Sequence, residues 1–164
     1  MSERADLLER FRRGPEIVAI ATTGAAGPEL DFKPAPDKWS VRAIVCHLAD
    51  SEMVEGMRFR QVIAEPNPTL QGYDQDAWAG RLDYSRRKIS QALETFRRLR
   101  ADTYELLKDL PEEAFARRGN HTERGQVTLL DLLKNTAEHA EGHVRQIQNV
   151  RTAYKEHRAK QTAR

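Results

Sequence analysis

The clearest hydrophobic pattern in the chain runs from Thr128 to Tyr154. Apolar residues recur there every three to four positions and fall on one face of a helix, with polar residues opposite. Thr128 and Asp131 resemble a capping box, in which side chains bond the free backbone N–H groups of a first turn. Gly142 weakens the pattern without ending it. The segment therefore predicts a long amphipathic helix.

Three other segments have the same helical period of apolar residues. They are residues 3–20, 41–64 and 85–110. The first is interrupted at Gly14 and Pro15, which predicts two short helical pieces. No segment alternates in the manner of a strand, so no sheet is expected. Four amphipathic helices joined by long loops predict an all-α protein, a four-helix bundle formed by a single domain of residues 1–164.

Two connecting segments contain candidate residues, and the longer one, residues 65–84, is long enough to carry function. Residues 65–84 contain Tyr73 and Trp78, which either wall a pocket or, as is commoner for aromatic side chains, anchor the loop to the bundle. Residues 117–126 form a polar loop around His121, for which a solvated turn position is the expected role.

The charge balance argues against a nucleic-acid-binding protein. The chain has 27 basic and 25 acidic residues, and they are interleaved along it. Only residues 155–164 are locally basic, and we expect them to be a frayed, solvated tail. The single cysteine, Cys46, excludes an internal disulfide, and no apolar stretch has the length of a signal segment or a membrane span. These features predict a cytoplasmic protein without a membrane partner.

Three histidines on two of the predicted helices are candidate metal ligands. His139 and His143 lie one turn apart on the last helix, and their imidazoles can share one ion. A pair of partly buried rings bonded to backbone or carboxylate groups is an equally ordinary interpretation. His47 points inward from the second long helix. If the three rings converge, they form a three-histidine site with open positions, which is the pattern of catalytic metal centres.

Other side chains on the helix of His47 are weaker candidates. Glu52 and Arg58 either support the metal site and orient a substrate, or form surface ion pairs, which is the commoner fate of such charges. Cys46 is rotated by roughly 100° from His47 and is expected to be a small buried thiol, not a ligand or nucleophile.

The motifs of the chain resemble the DinB/YfiT-like superfamily. The resemblance is carried by DKWSVRAIVCHLADSE (37–52), by the loop with Tyr73, Asp74 and Trp78, and by EHAEGHVRQI (138–147). It implies a four-helix bundle with up-down-down-up topology. It also implies one divalent metal ion, zinc or nickel first and iron as a further option. The ligands that it implies are His47, His139 and His143.

Several activities are known among proteins with this pattern. The resemblance implies a metal-dependent enzyme whose ion activates either water, as in a hydrolase, or the thiolate of a low-molecular-weight thiol, as in S-transferases that use bacillithiol or mycothiol. Its partners would then be a small-molecule substrate and a second copy of the chain, with Phe32 or Leu70 in the interface of a homodimer. The alternative is a non-catalytic, stress-associated binding or assembly module with a structural metal or none.

Overall fold

The computed structural model describes residues 2–163 as a helical bundle with a small sheet at one end. The helices are α1 (Glu3–Thr22), α2 (Pro28–Asp31), α3 (Val41–Ala64), α4 (Gln75–Arg81), α5 (Ile89–Leu107) and α6 (Leu129–Thr162). The strands are β1 (Thr69–Leu70), β2 (Arg118–His121) and β3 (Gly125–Thr128). Short 3₁₀ turns cover Tyr84–Arg86 and Glu112–Ala116. Within the described range, no helix combines the length and apolar character that crossing a membrane requires.

The first and last long helices run in the same direction. Arg10 of α1 forms two hydrogen bonds of 2.8 Å with Glu141 of α6. Further along both helices, Arg151 donates to the carbonyl of Ala21 at 2.8 Å. Because residue numbers rise together on the two sides, α1 and α6 are parallel although they are the outermost elements of the sequence.

The two middle helices of the bundle are also parallel to each other and opposed to α1. Arg42, in the first turn of α3, donates to the carbonyl of Arg87 just before α5, so the starts of these helices are neighbours. Arg4, at the start of α1, donates to the carbonyl of Leu110 just after α5. The order is therefore up, down, down, up, and the predicted all-α four-helix bundle is confirmed.

The predicted break at Gly14 and Pro15 is wrong, because α1 continues through both residues. Proline has no N–H, so Pro15 leaves the carbonyl of Phe11 without its helical partner. Arg100 of α5 supplies the missing donor: its Nη1 lies 2.9 Å from that oxygen. Gly14 makes room for this guanidinium, since a Cβ there would lie 2.6 Å from Arg100 Nη1. A contact between helices thus repairs a local defect.

This arrangement predicts that Gly14→Ala destabilises the protein. Helix propensity alone favours alanine by about 1 kcal/mol, but the new methyl group clashes with a buried guanidinium, and overpacking costs about 1–3 kcal/mol. The matched control is Gly142→Ala in α6, where the nearest atom to an added Cβ is 3.8 Å away. Urea unfolding should show a lower midpoint for Gly14→Ala and an unchanged or higher one for Gly142→Ala. A Gly14→Ala variant more stable than the parent would refute the clash.

The last helix begins as predicted and ends later than predicted. Thr128 and Asp131 form a complete capping box at its start. The helix then continues past Tyr154 to Thr162, so residues 155–162 of the tail that was expected to fray are helical here, and their side chains are exposed. Residues 155–162 contain no proline or glycine and several strong helix formers, which lets the turns propagate.

Phe32, one of the two residues proposed for a dimer interface, contacts α6 of its own chain. Its ring packs on Tyr154, with 5.4 Å between ring centroids.

The expectation of no sheet is wrong as well. β2 and β3 form an antiparallel hairpin, and β1 pairs parallel to β2, with Leu70 opposite His121. The inward positions of β2 are Gly119 and His121. Neither residue is strongly apolar, so the strand shows no alternating pattern of apolar and polar residues in the sequence. Leu70 is fully buried, which removes it from any interface. The homodimer itself stays a prediction.

Candidate metal centre

The structure brings His47, His139 and His143 together between α3 and α6, and we call them the histidine cluster. His47 is 1% exposed. The Nε2 atoms of His47 and His139 are 3.1 Å apart, and those of His139 and His143 are 3.0 Å apart. All three ligand nitrogens lie within 4.8 Å of one another. The convergence that sequence spacing left open is therefore present.

The geometry and chemistry of the histidine cluster fit a divalent ion. Zn–N distances of about 2.0–2.1 Å in a tetrahedral site give N···N separations of roughly 3.3 Å, close to those found here. His143 Nδ1 donates to Gln146 Oε1 at 2.7 Å, which leaves the Nε2 lone pair of a neutral ring facing the other two rings. Three such nitrogens form a ligand set for zinc, nickel or iron.

Burial keeps the rings of the histidine cluster in the form that binds metal. Loss of solvation, with repulsion from a charged neighbouring ring, lowers the pKa of His47 to about 4 and that of His139 to about 3. Burial also lowers the pKa of His143. The imidazoles are therefore neutral at physiological pH, and a cation has no proton to displace from them.

Trp39 forms the rear wall of the histidine cluster. Its ring centroid lies 4.9 Å from that of His47 and 6.4 Å from that of His143, nearly parallel to the latter. Trp39 lies directly before Ser40, the N-cap of α3, and eight positions before His47, about two helical turns, and this spacing could have indicated the contact.

A polar cavity of about 260 Å³ opens in front of the histidine cluster. Its lining consists of His47, Ser51, Glu55, Arg58, Tyr73, Gln75, His121, Glu123, Arg124, Asn135, Thr136 and His139. Tyr73 is one of these lining residues. Trp78 is absent from the lining and packs against Tyr73, with 4.5 Å between ring centroids.

His121 is not the solvated turn residue that its polar surroundings predicted. It is 3% exposed, because the β2–β3 hairpin turns its side chain inward onto the cavity. Its Nδ1 accepts a hydrogen bond of 3.2 Å from the backbone N–H of Glu123. It lies outside the group of three nitrogens within 4.8 Å, so it belongs to the cavity and not to the histidine cluster.

The two charged candidates on α3 have different surroundings, and neither forms a surface ion pair. Arg58 is buried in the cavity wall, where Nη1 lies 2.5 Å from Glu55 Oε1 and Nη2 lies 2.6 Å from the carbonyl oxygen of Gln71. Glu52 does not line the cavity and forms two hydrogen bonds of 2.7 Å with Arg100. Arg100 is 1% exposed.

Glu55 is a cavity residue that the sequence interpretation missed. Its side chain is buried, and it follows His47 by eight positions, about two helical turns. Burial raises the pKa of its carboxyl group, and the neighbouring Arg58 opposes that effect. Ser51, one turn after His47, lines the same cavity. Their spacing from His47 could have indicated both residues from the sequence, since residues one and two turns apart on a helix share a face.

Comparison with known proteins identifies the family. The sequence profile of the DinB superfamily matches residues 10–147. The chain belongs to the DinB superfamily. Its structure also resembles YfiT from Bacillus subtilis, described provisionally as a metal-dependent hydrolase with an unusual four-helix bundle topology: the TM-score is 0.85 at 25% identity, covering 92% of this chain and 87% of YfiT. The resemblance expected from the motifs is confirmed.

Two members of the DinB superfamily with similar sequences carry names of the same kind. A protein of Oceanobacillus iheyensis is 30% identical over 133 residues, 81% of this chain and 77% of its own length. One of Bacillus cereus strain 03BB102 is 31% identical over 113 residues, 69% of this chain and 65% of its own length, just under two thirds. Both are named, provisionally, metal-dependent hydrolases. These names and the histidine cluster together indicate a metal ion.

Proposed function

We propose that this chain is a metal-dependent hydrolase whose single divalent ion is held by His47, His139 and His143. The observation that carries the proposal is the convergence of three neutral ring nitrogens beside a polar cavity that His47 and His139 line. The provisional names of its relatives support hydrolysis over other chemistries. Zinc and nickel are the ions we propose first, since imidazole suits both.

The residues around the histidine cluster differ between its two sides. Trp39 packs against His47 and His143, and Gln146 holds His143 in one orientation. Trp39, His143 and Gln146 border a separate surface depression of about 300 Å³. The cavity side remains accessible to a small polar substrate. When bound, the ion would act as a Lewis acid and would lower the pKa of a water molecule bound to it to near neutrality.

We further propose that Glu55 accepts the proton of the attacking water. It is a buried carboxylate on the cavity wall, two turns from His47. The bond from Arg58 Nη1 to one oxygen holds the group in place. Tyr73 lines the same cavity. The chain thus offers a metal-ligand face and an oriented carboxylate in one cavity, which a metal-assisted hydrolysis requires.

Glu55→Gln is expected to lower kcat by about 10²-fold or more, because a positioned general base contributes about 10²–10⁴-fold. The amide keeps the size of the side chain and can still accept the bond from Arg58. Metal content should be unchanged by elemental analysis. Glu123→Gln, which removes the other carboxylate of the cavity lining, is the matched control. If Glu123→Gln shows the larger loss instead, Glu55 is not the base.

The function itself is tested with protein purified without chelator. Elemental analysis should find close to one divalent ion per chain, and the loaded protein should hydrolyse a member of a panel of activated esters and amides. Turnover only of pairs of a small thiol and an electrophile would identify an S-transferase instead. A metal that raises the melting temperature by mass action without any turnover across both panels would indicate the non-catalytic module.

A further inference from the structure

Two buried hydrogen-bond donors on the cavity wall have no partner. His121 is 3% exposed and Arg58 is 4% exposed. Among residues 2–163, five buried side-chain polar atoms lack a hydrogen-bond partner, and His121 Nε2 and Arg58 Nε are two of them. An unpaired buried donor is costly, so two in one cavity call for a ligand that supplies acceptors.

The hydrogen bonds around His121 determine where its proton lies. Nδ1 accepts from the backbone N–H of Glu123 and therefore carries a lone pair. Burial, with the charges of Arg58 and Arg124, lowers the pKa of the ring, so it is neutral and its one proton is on Nε2. His121 is thus a neutral N–H donor.

Arg58 is held so that one of its donors stays free. Nη1 is bonded to Glu55 and Nη2 to the carbonyl of Gln71, so Nε is the guanidinium nitrogen that has no hydrogen-bond partner. The guanidinium cannot rotate to satisfy Nε without breaking one of these bonds. Arg58 and His121 thus each keep an unpaired N–H group within the wall of a cavity of about 260 Å³.

The charges lining the cavity favour an anion once a metal ion is present. Arg58 and Arg124 balance Glu55 and Glu123, and Glu55 is already paired with Arg58. Arg124 is exposed on the hairpin and has no ion pair within residues 2–163. A divalent ion in the histidine cluster makes the lining net positive. The two oxygens of one small anionic group, such as a carboxylate, can supply acceptors to both N–H donors.

We propose that His121 and Arg58 form a carboxylate-binding subsite, so that the substrate is a small molecule carrying a carboxylate besides the group that is hydrolysed. The part of this inference that concerns the reaction rests on the proposed function. Binding of the carboxylate is a property of the cavity wall and can be measured without turnover.

The test is calorimetric titration of the full, zinc-loaded chain with acetate, malonate, succinate, glutarate and inorganic phosphate. At least one dicarboxylate, engaging the ion and the subsite together, should bind tenfold or more tightly than acetate. His121→Ala should remove that advantage. His121→Gln, which retains a donor at a similar reach, should keep most of it. Gln126→Ala, on the same hairpin outside the cavity lining, is the control and should resemble the parent.

Zinc content is measured on the same samples, and this separates the two proposals. If every variant binds zinc and His121→Ala still prefers the dicarboxylate over acetate as strongly as the parent does, the subsite proposal is overturned. The proposed metal site is then unaffected. Phosphate binding that depends on His121 while carboxylate binding does not would also overturn it. If no variant binds zinc, the proposed function fails, and the subsite is decided on the zinc-free chain by whether acetate shifts the NMR signal of the His121 Nε2–H group.

A folding defect does not remove the test. If His121→Ala fails to give a native circular dichroism spectrum, Arg58→Lys decides, because lysine keeps the positive charge and loses the Nε donor. We expect Arg58→Lys to weaken binding of the preferred dicarboxylate tenfold or more relative to acetate. An unchanged ratio in a folded Arg58→Lys protein overturns the proposal.

Discussion

Replacing His143 with alanine is expected to abolish stoichiometric metal binding. Its Nε2 lies 3.0 Å from that of His139, so its loss leaves two of the three converging nitrogens. Zinc sites in proteins are worth about 10–16 kcal/mol, so one ligand of such a site accounts for roughly two to three orders of magnitude in affinity. Elemental analysis after dialysis, and competition with a chromogenic chelator, should both detect the loss.

His157→Ala is the control for this substitution. His157 lies on the same helix, but its side chain is exposed and contacts Phe32 and Gln161. This variant should retain the metal content of the parent. A His143→Ala protein that still holds one ion per chain would show that the histidine cluster is not the binding site. Circular dichroism of both variants should remain helical, because His143 is only partly buried on α6.

Arg100→Met is expected to reduce the free energy of unfolding by about 3–5 kcal/mol, the usual cost of removing one partner from a buried ion pair. Arg100 forms two hydrogen bonds of 2.7 Å with Glu52, and both side chains are almost fully buried. Its guanidinium also lies 4.1 Å from the ring centroid of Phe11 and bonds that residue's carbonyl. Methionine leaves a buried carboxylate and a buried carbonyl without donors.

Urea unfolding followed by circular dichroism measures this loss. Arg98→Ala, which removes an exposed ion pair with Glu94, should change stability by less than about 1 kcal/mol. Adding Glu52→Leu to Arg100→Met should recover much of the stability, since the uncompensated charge is gone. A loss in Arg100→Met no larger than that in Arg98→Ala would contradict the role assigned to the buried pair.

The predictions that held depend on local chemistry. The boundaries of α3 at Ser40 and Ala64, the capping box at the start of α6 and the four amphipathic stripes are read from residues within one or two turns of each other. Periodicity and capping act over such distances, so a single sequence contains them. The same holds for the inward direction of His47, which follows from its angular position on the helix.

The predictions that failed depend on contacts between distant segments. α1 crosses Pro15 because Arg100, 85 positions later, supplies a hydrogen bond that no local pattern reveals. His121 is buried because a two-residue strand ending at Leu70 pairs with its own strand. Glu52 forms a buried ion pair with Arg100 of α5, whereas the sequence predicted either a role beside the metal site or a surface ion pair.

By itself, the sequence determined the helices, their apolar faces and three histidines aimed at the interior, because backbone hydrogen bonding and side-chain periodicity are local. Only the tertiary structure decided that α3 and α6 carry His47 to within 3.1 Å of His139, and that a hairpin turns His121 toward the same cavity. Those distances depend on how far each helix slides along its neighbour. That register is set by the packing of the whole core.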